Sequence, residues 1–90
     1  SERFSLSQNY PNPFNPAAKI KFTLGGTSAA QTILSVYDIL GREVVVLINQ
    51  KLEPGSYETV WNASSYPSGV YYYRLESSGY TETKKMVLIK

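Results

Sequence analysis

The chain has 90 residues, 42% hydrophobic and 13% aromatic, with a formal charge of +2 and neither Cys nor His. That length suits one small domain, residues 1–90, and rules out a disulfide scaffold, a Cys/His zinc site and catalysis by His or Cys. The longest clean apolar run, Val44 to Ile48, is far short of the about 20 residues a membrane-spanning helix needs, and the dispersed basic residues give no nucleic-acid footprint.

Taken in chain order, short alternating segments dominate, and no long helical periodicity competes with them. Ser1 begins no signal peptide, since no basic-then-apolar segment follows it. Phe4 to Gln8 forms a weak first strand. Ile20, Phe22 and Leu24 alternate with Lys19, Lys21 and Thr23, which gives one buried and one wet face. In Gln31 to Asp38, Leu34 and Val36 share one face and Ile33, Ser35 and Tyr37 the other, as in a central strand. Val44 to Ile48 is a continuous apolar run and is expected to be buried on both sides. Tyr57, Thr59 and Trp61 share a face, as do Tyr71, Tyr73 and Leu75. The last strand, Thr83 to Ile89, has Met86 and Leu88 on one side and Val87 and Ile89 on the other.

Turn signals separate these strands. In Asp38-Ile39-Leu40-Gly41 the Asp opens a type I turn and Gly41 takes the left-handed position after it. Glu53-Pro54-Gly55, Tyr66-Pro67-Ser68-Gly69 and Ser78-Gly79 mark further turns. About seven short strands at regular spacing predict an all-β fold, an immunoglobulin-like antiparallel β-sandwich. Tyr10-Pro11-Asn12-Pro13-Phe14-Asn15-Pro16 cannot be a central strand, because proline lacks the ladder donor. It reads as a stiff extended crossover, anchored by Tyr10 and Phe14, in which Asn12 and Asn15 accept local backbone bonds.

Nothing in the sequence assembles a catalytic or metal site, and no cofactor is implied. The carboxylates Asp38, Glu43, Glu53, Glu58, Glu76 and Glu82 sit in turns or at polar strand positions, where solvation explains them. No Asp-rich loop offers Ca²⁺ its oxygen ligands. The abundant serines have no His to activate them. Two binding readings remain. Trp61, Tyr66 and Tyr72 are candidates for a flat sugar-stacking platform, as in a carbohydrate-binding or adhesion module of an extracellular enzyme. Lys84-Lys85-Met86-Val87-Leu88-Ile89-Lys90 is either a last strand whose lysines discourage edge pairing or a terminal tag read by strand addition and charge. Open edges would also allow a dimer.

These pieces in order resemble a known family. They are Tyr10-Pro-Asn-Pro-Phe-Asn-Pro16, Ile20-x-Phe22-x-Leu24, Val36-Tyr37-Asp38-x-x-Gly41-Arg42-x-Val44, Trp61-Asn62, Ser68-Gly69-Val70-Tyr71-Tyr72-Tyr73-Arg74-Leu75 and Lys85-Met86-Val87-Leu88-Ile89-Lys90. Together they look like the type A C-terminal sorting domain of type IX secretion cargo from Bacteroidetes-like bacteria. The resemblance runs from Gln8 to Lys90 and departs from the family pattern at Ala18, Leu24-Gly25 and Ala63. It implies a non-enzymatic address. An N-terminal passenger with its own signal peptide reaches the periplasm. The outer-membrane translocon then recognises the domain, and a sortase-like protease removes it and attaches the passenger to the cell surface. It further implies that the receptor-read residues are Ser68, Gly69, Val70 and Tyr71 with Lys85, Met86, Val87, Leu88, Ile89 and Lys90. Tyr37, Trp61, Tyr71 and Tyr73 would chiefly maintain the fold.

Overall fold

A computed structural model describes residues 3–90; Ser1, and the expectation attached to it, fall outside them. Seven strands follow one another: β1 (Ser5–Leu6), β2 (Ala17–Leu24), β3 (Ala30–Tyr37), β4 (Glu43–Leu52), β5 (Gly55–Asn62), β6 (Gly69–Ser77) and β7 (Tyr80–Leu88). They form a three-stranded sheet, β1-β2-β5, and a four-stranded sheet, β4-β3-β6-β7, with every ladder antiparallel. This three-plus-four arrangement is the expected immunoglobulin-like sandwich.

The alternation read from the sequence sets which faces meet. Ile20, Phe22 and Leu24 of β2, Leu34 and Val36 of β3, Tyr73 and Leu75 of β6, and Met86 and Leu88 of β7 are all buried in one core. Within that core, the buried hydroxyls of Thr32 and Ser77 satisfy each other at 2.9 Å, so two polar side chains on facing strands cost little there.

Local chemistry fixes the corners. Asp38 closes its turn by accepting the Leu40 and Arg42 amides at 2.9 and 3.0 Å, and Gly41 takes φ 84°, as the Asp-to-Gly spacing requires. The Arg42 amide bond is the leading cause that holds the Asp38 carboxyl below its ordinary range. Ser78 and Gly79, at φ 50° and 84°, give the β6–β7 hairpin its primed turn. At two other corners a tyrosine hydroxyl donates to the carbonyl four residues back: Tyr57 to Glu53 and Tyr71 to Pro67, each at 2.6 Å. The second is the tyrosine corner of immunoglobulin-like domains; the first repeats it at the β4–β5 crossing.

Three expectations need correction. Val44 to Ile48 is not buried on both sides. It lies in β4, an outer strand of the four-stranded sheet, where Val46 is exposed and the others are half-buried. Continuous hydrophobicity marks a central position only when neighbours flank both edges. The Tyr10 ring is no anchor: the residue is 76% exposed, whereas Phe14 is 1% exposed, and Tyr10 holds the chain only through its backbone bridge to Lys19. The proline segment also bends rather than running extended, and Asn12 reaches the distant Val87 amide instead of a local one.

Candidate functional site

The two stretches singled out in the sequence, Ser68 to Tyr71 and Lys85 to Lys90, are brought together at one end of the four-stranded sheet. In the β6–β7 ladder Gly69 faces Leu88, Val70 faces Val87, Tyr71 faces Met86 and Tyr72 faces Lys85. Beyond the ladder, Ser68 Oγ accepts the Lys90 amide at 3.1 Å. The Lys90 ammonium donates to the carbonyls of Ser64 and Tyr66 at 2.8 and 2.9 Å. The last residue is therefore docked on the turn that leads into β6.

Inward and outward side chains divide the labour. Met86, Leu88 and Tyr71 are buried, while Lys85, Ile89 and Lys90 are exposed. Beneath this end lies an aromatic cluster centred on Trp61. Its ring is 5.3 Å from Tyr66, 5.3 Å from Tyr71 in an edge-on contact and 5.8 Å from Phe14, within the range of favourable ring pairs. Burial, followed by the charges of Asp38 and Tyr66, pushes the Tyr71 phenol up.

Sequence reasoning missed what covers the outer edge of β7. Phe14 forms a parallel bridge with Leu88: its amide donates to the Val87 carbonyl at 2.9 Å, and its carbonyl accepts the Ile89 amide at 3.0 Å. Asn12 Oδ1 accepts the Val87 amide at 3.2 Å. Gln8 Nε2 donates to the Lys85 carbonyl at 2.7 Å and to Asn9 Oδ1 at 2.7 Å. Asn9 is buried and donates to the Pro11 carbonyl. A polar residue between two prolines, followed by a lone aromatic, was the available signal.

The sugar-platform geometry is not formed. Trp61 is 3% exposed, inside the sandwich, and Tyr72 alternates with the inward residues of β6, so it points to the other side of that sheet. On that outer face Arg74 lies 4.9 Å from the centre of the Tyr37 ring and donates to the Tyr37 hydroxyl at 2.7 Å, and its Nε is 3.6 Å from Glu76. Among the described residues, no group of three metal-ligating side chains converges. No helix among them is long and apolar enough to cross a membrane.

The family of secretion system C-terminal sorting domains matches residues 8–90, and the chain belongs to it. No curated protein matches the chain. Its class is that of the type IX secretion sorting signal, which works with that secretion machinery and directs export across the outer membrane to the cell surface or beyond.

Proposed function

We propose that the machinery reads this domain through the paired end of β6 and β7, with Lys85 to Lys90 as the principal element and Ser68 to Tyr71 as its support. The observation that carries this reading is the docking of Lys90 onto the turn before β6, which joins the two stretches into one surface. Lys85 and Ile89 offer charge and apolar area outward, Lys90 fastens the end of the strand to the turn before β6, and Met86 and Leu88 hold the strand in the core. Backbone pairing supplies affinity in strand addition, and alternate side chains supply selectivity. In this reading the passenger precedes the domain and crosses the periplasm first. A sortase-like protease then cleaves the domain and attaches the passenger to the surface. The outer edge of β5 is where a second copy would add.

The test fuses the chain to a periplasmic reporter in a type IX-competent host. Deleting Lys85 to Lys90 also strips Met86 and Leu88 from the core, so the informative variant spares them: Lys85→Glu, Ile89→Glu and Lys90→Glu combined. The reading requires that surface reporter is lost while the purified domain still unfolds cooperatively in urea. Undiminished surface reporter from both the deletion and the triple variant would refute it.

A further inference from the structure

If Lys85 to Lys90 is read by strand addition, the folded domain presents a difficulty. The outward backbone groups of that stretch are already engaged: the Lys85 and Val87 carbonyls accept bonds, and the Val87 and Ile89 amides donate them, all to the segment between Gln8 and Phe14. An incoming strand meets an edge occupied by the chain's own pseudo-strand.

That occupant enters the core at one main point. Tyr10, Pro11, Asn12, Pro13 and Asn15 are exposed, and between Tyr10 and Asn15 only Phe14 is buried. The Phe14 ring seated against Trp61, the paired backbone bonds of Tyr10 with Lys19, the buried Asn9 and a few backbone-directed hydrogen bonds to β7 fix the segment. Elements held by few buried contacts and by exposed hydrogen bonds open before the core does. By contrast, the strand beneath is paired with β6 along its whole length, independently of any bond to the segment.

Resting on the strand-addition reading above, we propose that the outer edge of Lys85 to Ile89, together with the Phe14 seat, is a peptide-binding site. Its resident in the free domain is Asn12 to Phe14. Its partner is an extended receptor segment that runs parallel to β7 and places a large apolar side chain where Phe14 now sits. The resident already defines the match: an amide for the Val87 carbonyl, a carbonyl for the Ile89 amide, an acceptor for the Val87 amide and an apolar ring against Trp61. The segment thus shields the edge until the receptor displaces it, which also protects the free domain from edge-to-edge association.

Two measurements on the full chain test this. In native-state hydrogen exchange, the amides of Phe14, Val87 and Ile89 should exchange at least about ten-fold faster than those of Leu34 and Tyr73, which lie on central strands. Asn12→Ala should speed exchange at Val87 by a further roughly five-fold, the equivalent of one hydrogen bond. Exchange of all these amides at the same rate, through global unfolding only, would overturn the proposal. In the second, Phe14→Ala empties the seat. A synthetic peptide copying residues 8–16 should then bind saturably and move the Val87 and Ile89 amide resonances; the same peptide with alanine in place of its phenylalanine should not. No movement at those amides, or equal movement with both peptides, contradicts the site. If Phe14→Ala does not fold, the exchange experiment on the unaltered chain decides alone. Neither measurement involves secretion, so the failure of this site stays distinct from failure of the export reading, which the reporter fusion tests.

Discussion

The four-stranded sheet has two outer strands, and the fold treats them differently. β4 is long, half-buried and irregular: its register against β3 shifts between Leu34 and Ser35 and again between Val36 and Tyr37. β7 pairs with β6 without a break from Ser77–Tyr80 to Gly69–Leu88, and its outer edge from Lys85 onward is covered by the stretch between Gln8 and Phe14. Bulges deter pairing by deforming an edge; a cover deters it reversibly. Only the second device leaves an unbroken ladder beneath it. That contrast is the physical reason for assigning recognition to β7.

The contrast can be broken most forcefully at Phe14. Phe14→Ala removes a fully buried ring from the side of the covered edge and should cost about 3–5 kcal/mol in urea unfolding. The matching change on the bulged edge, Val46→Ala, should shift stability by no more than about 0.5 kcal/mol, since Val46 is exposed. Comparable costs would show that the two edges are not built differently.

Alkali sharpens the comparison next. Tyr73 and Tyr80 are each pushed from 10.0 up to about 12, chiefly by burial. Between those values the unfolded chain releases protons that the folded chain retains, so stability must fall as pH rises through this window. Below pH 10 the contribution is fully present. The Tyr73 hydroxyl donates to the Ser7 carbonyl at 2.7 Å, which ties β6 to the chain just after β1, and Tyr80 donates to Glu82. Urea midpoints followed from neutral pH to about 12 should therefore decline, and Tyr73→Phe should flatten the decline while costing about 1 kcal/mol at neutral pH. A flat profile in the unmodified chain would contradict the burial argument.

Smaller effects belong to the corners. Tyr71→Phe and Tyr57→Phe each delete one hydroxyl bond and should cost about 1 kcal/mol, read as a shift in urea midpoint with unchanged slope. The Tyr71 change lies beside the covered edge and should also speed exchange at Val70; the Tyr57 change should not. Smallest is Asp38→Asn at the tip of the β3–β4 hairpin. The Asp38 carboxyl is held below its ordinary range, so the wild-type advantage over this variant should be present at neutral pH and vanish on acidification through the carboxyl's titration.

Much of this architecture is legible in the sequence because strand alternation and turn chemistry are local. Ile20, Phe22 and Leu24 declare their buried face, and Asp38 with Gly41 declares its turn. The pairing of Ser68–Tyr71 with Lys85–Lys90 follows almost directly from a short hairpin at Ser78-Gly79, since the two stretches lie at matching distances from it. What is not legible depends on long-range partners. Val44 to Ile48 looks buried on both sides because composition reports hydrophobicity without reporting which strand lies at the edge of a sheet. Asn12 looks like a turn residue because its true partner, the Val87 amide, is 75 residues away. Tyr10 and Phe14 look equivalent as anchors, and only the position of Trp61 on a different strand distinguishes them.

The most direct measurement places a photoreactive residue at Lys85 on β7 or, in a parallel chain, at Lys51 on β4, each fused to a reporter in secreting cells. The account predicts a crosslink to an outer-membrane component of the secretion machinery from position 85 and none from position 51. Capture from position 51 alone, or equally from both, would contradict the assignment of recognition to the covered edge.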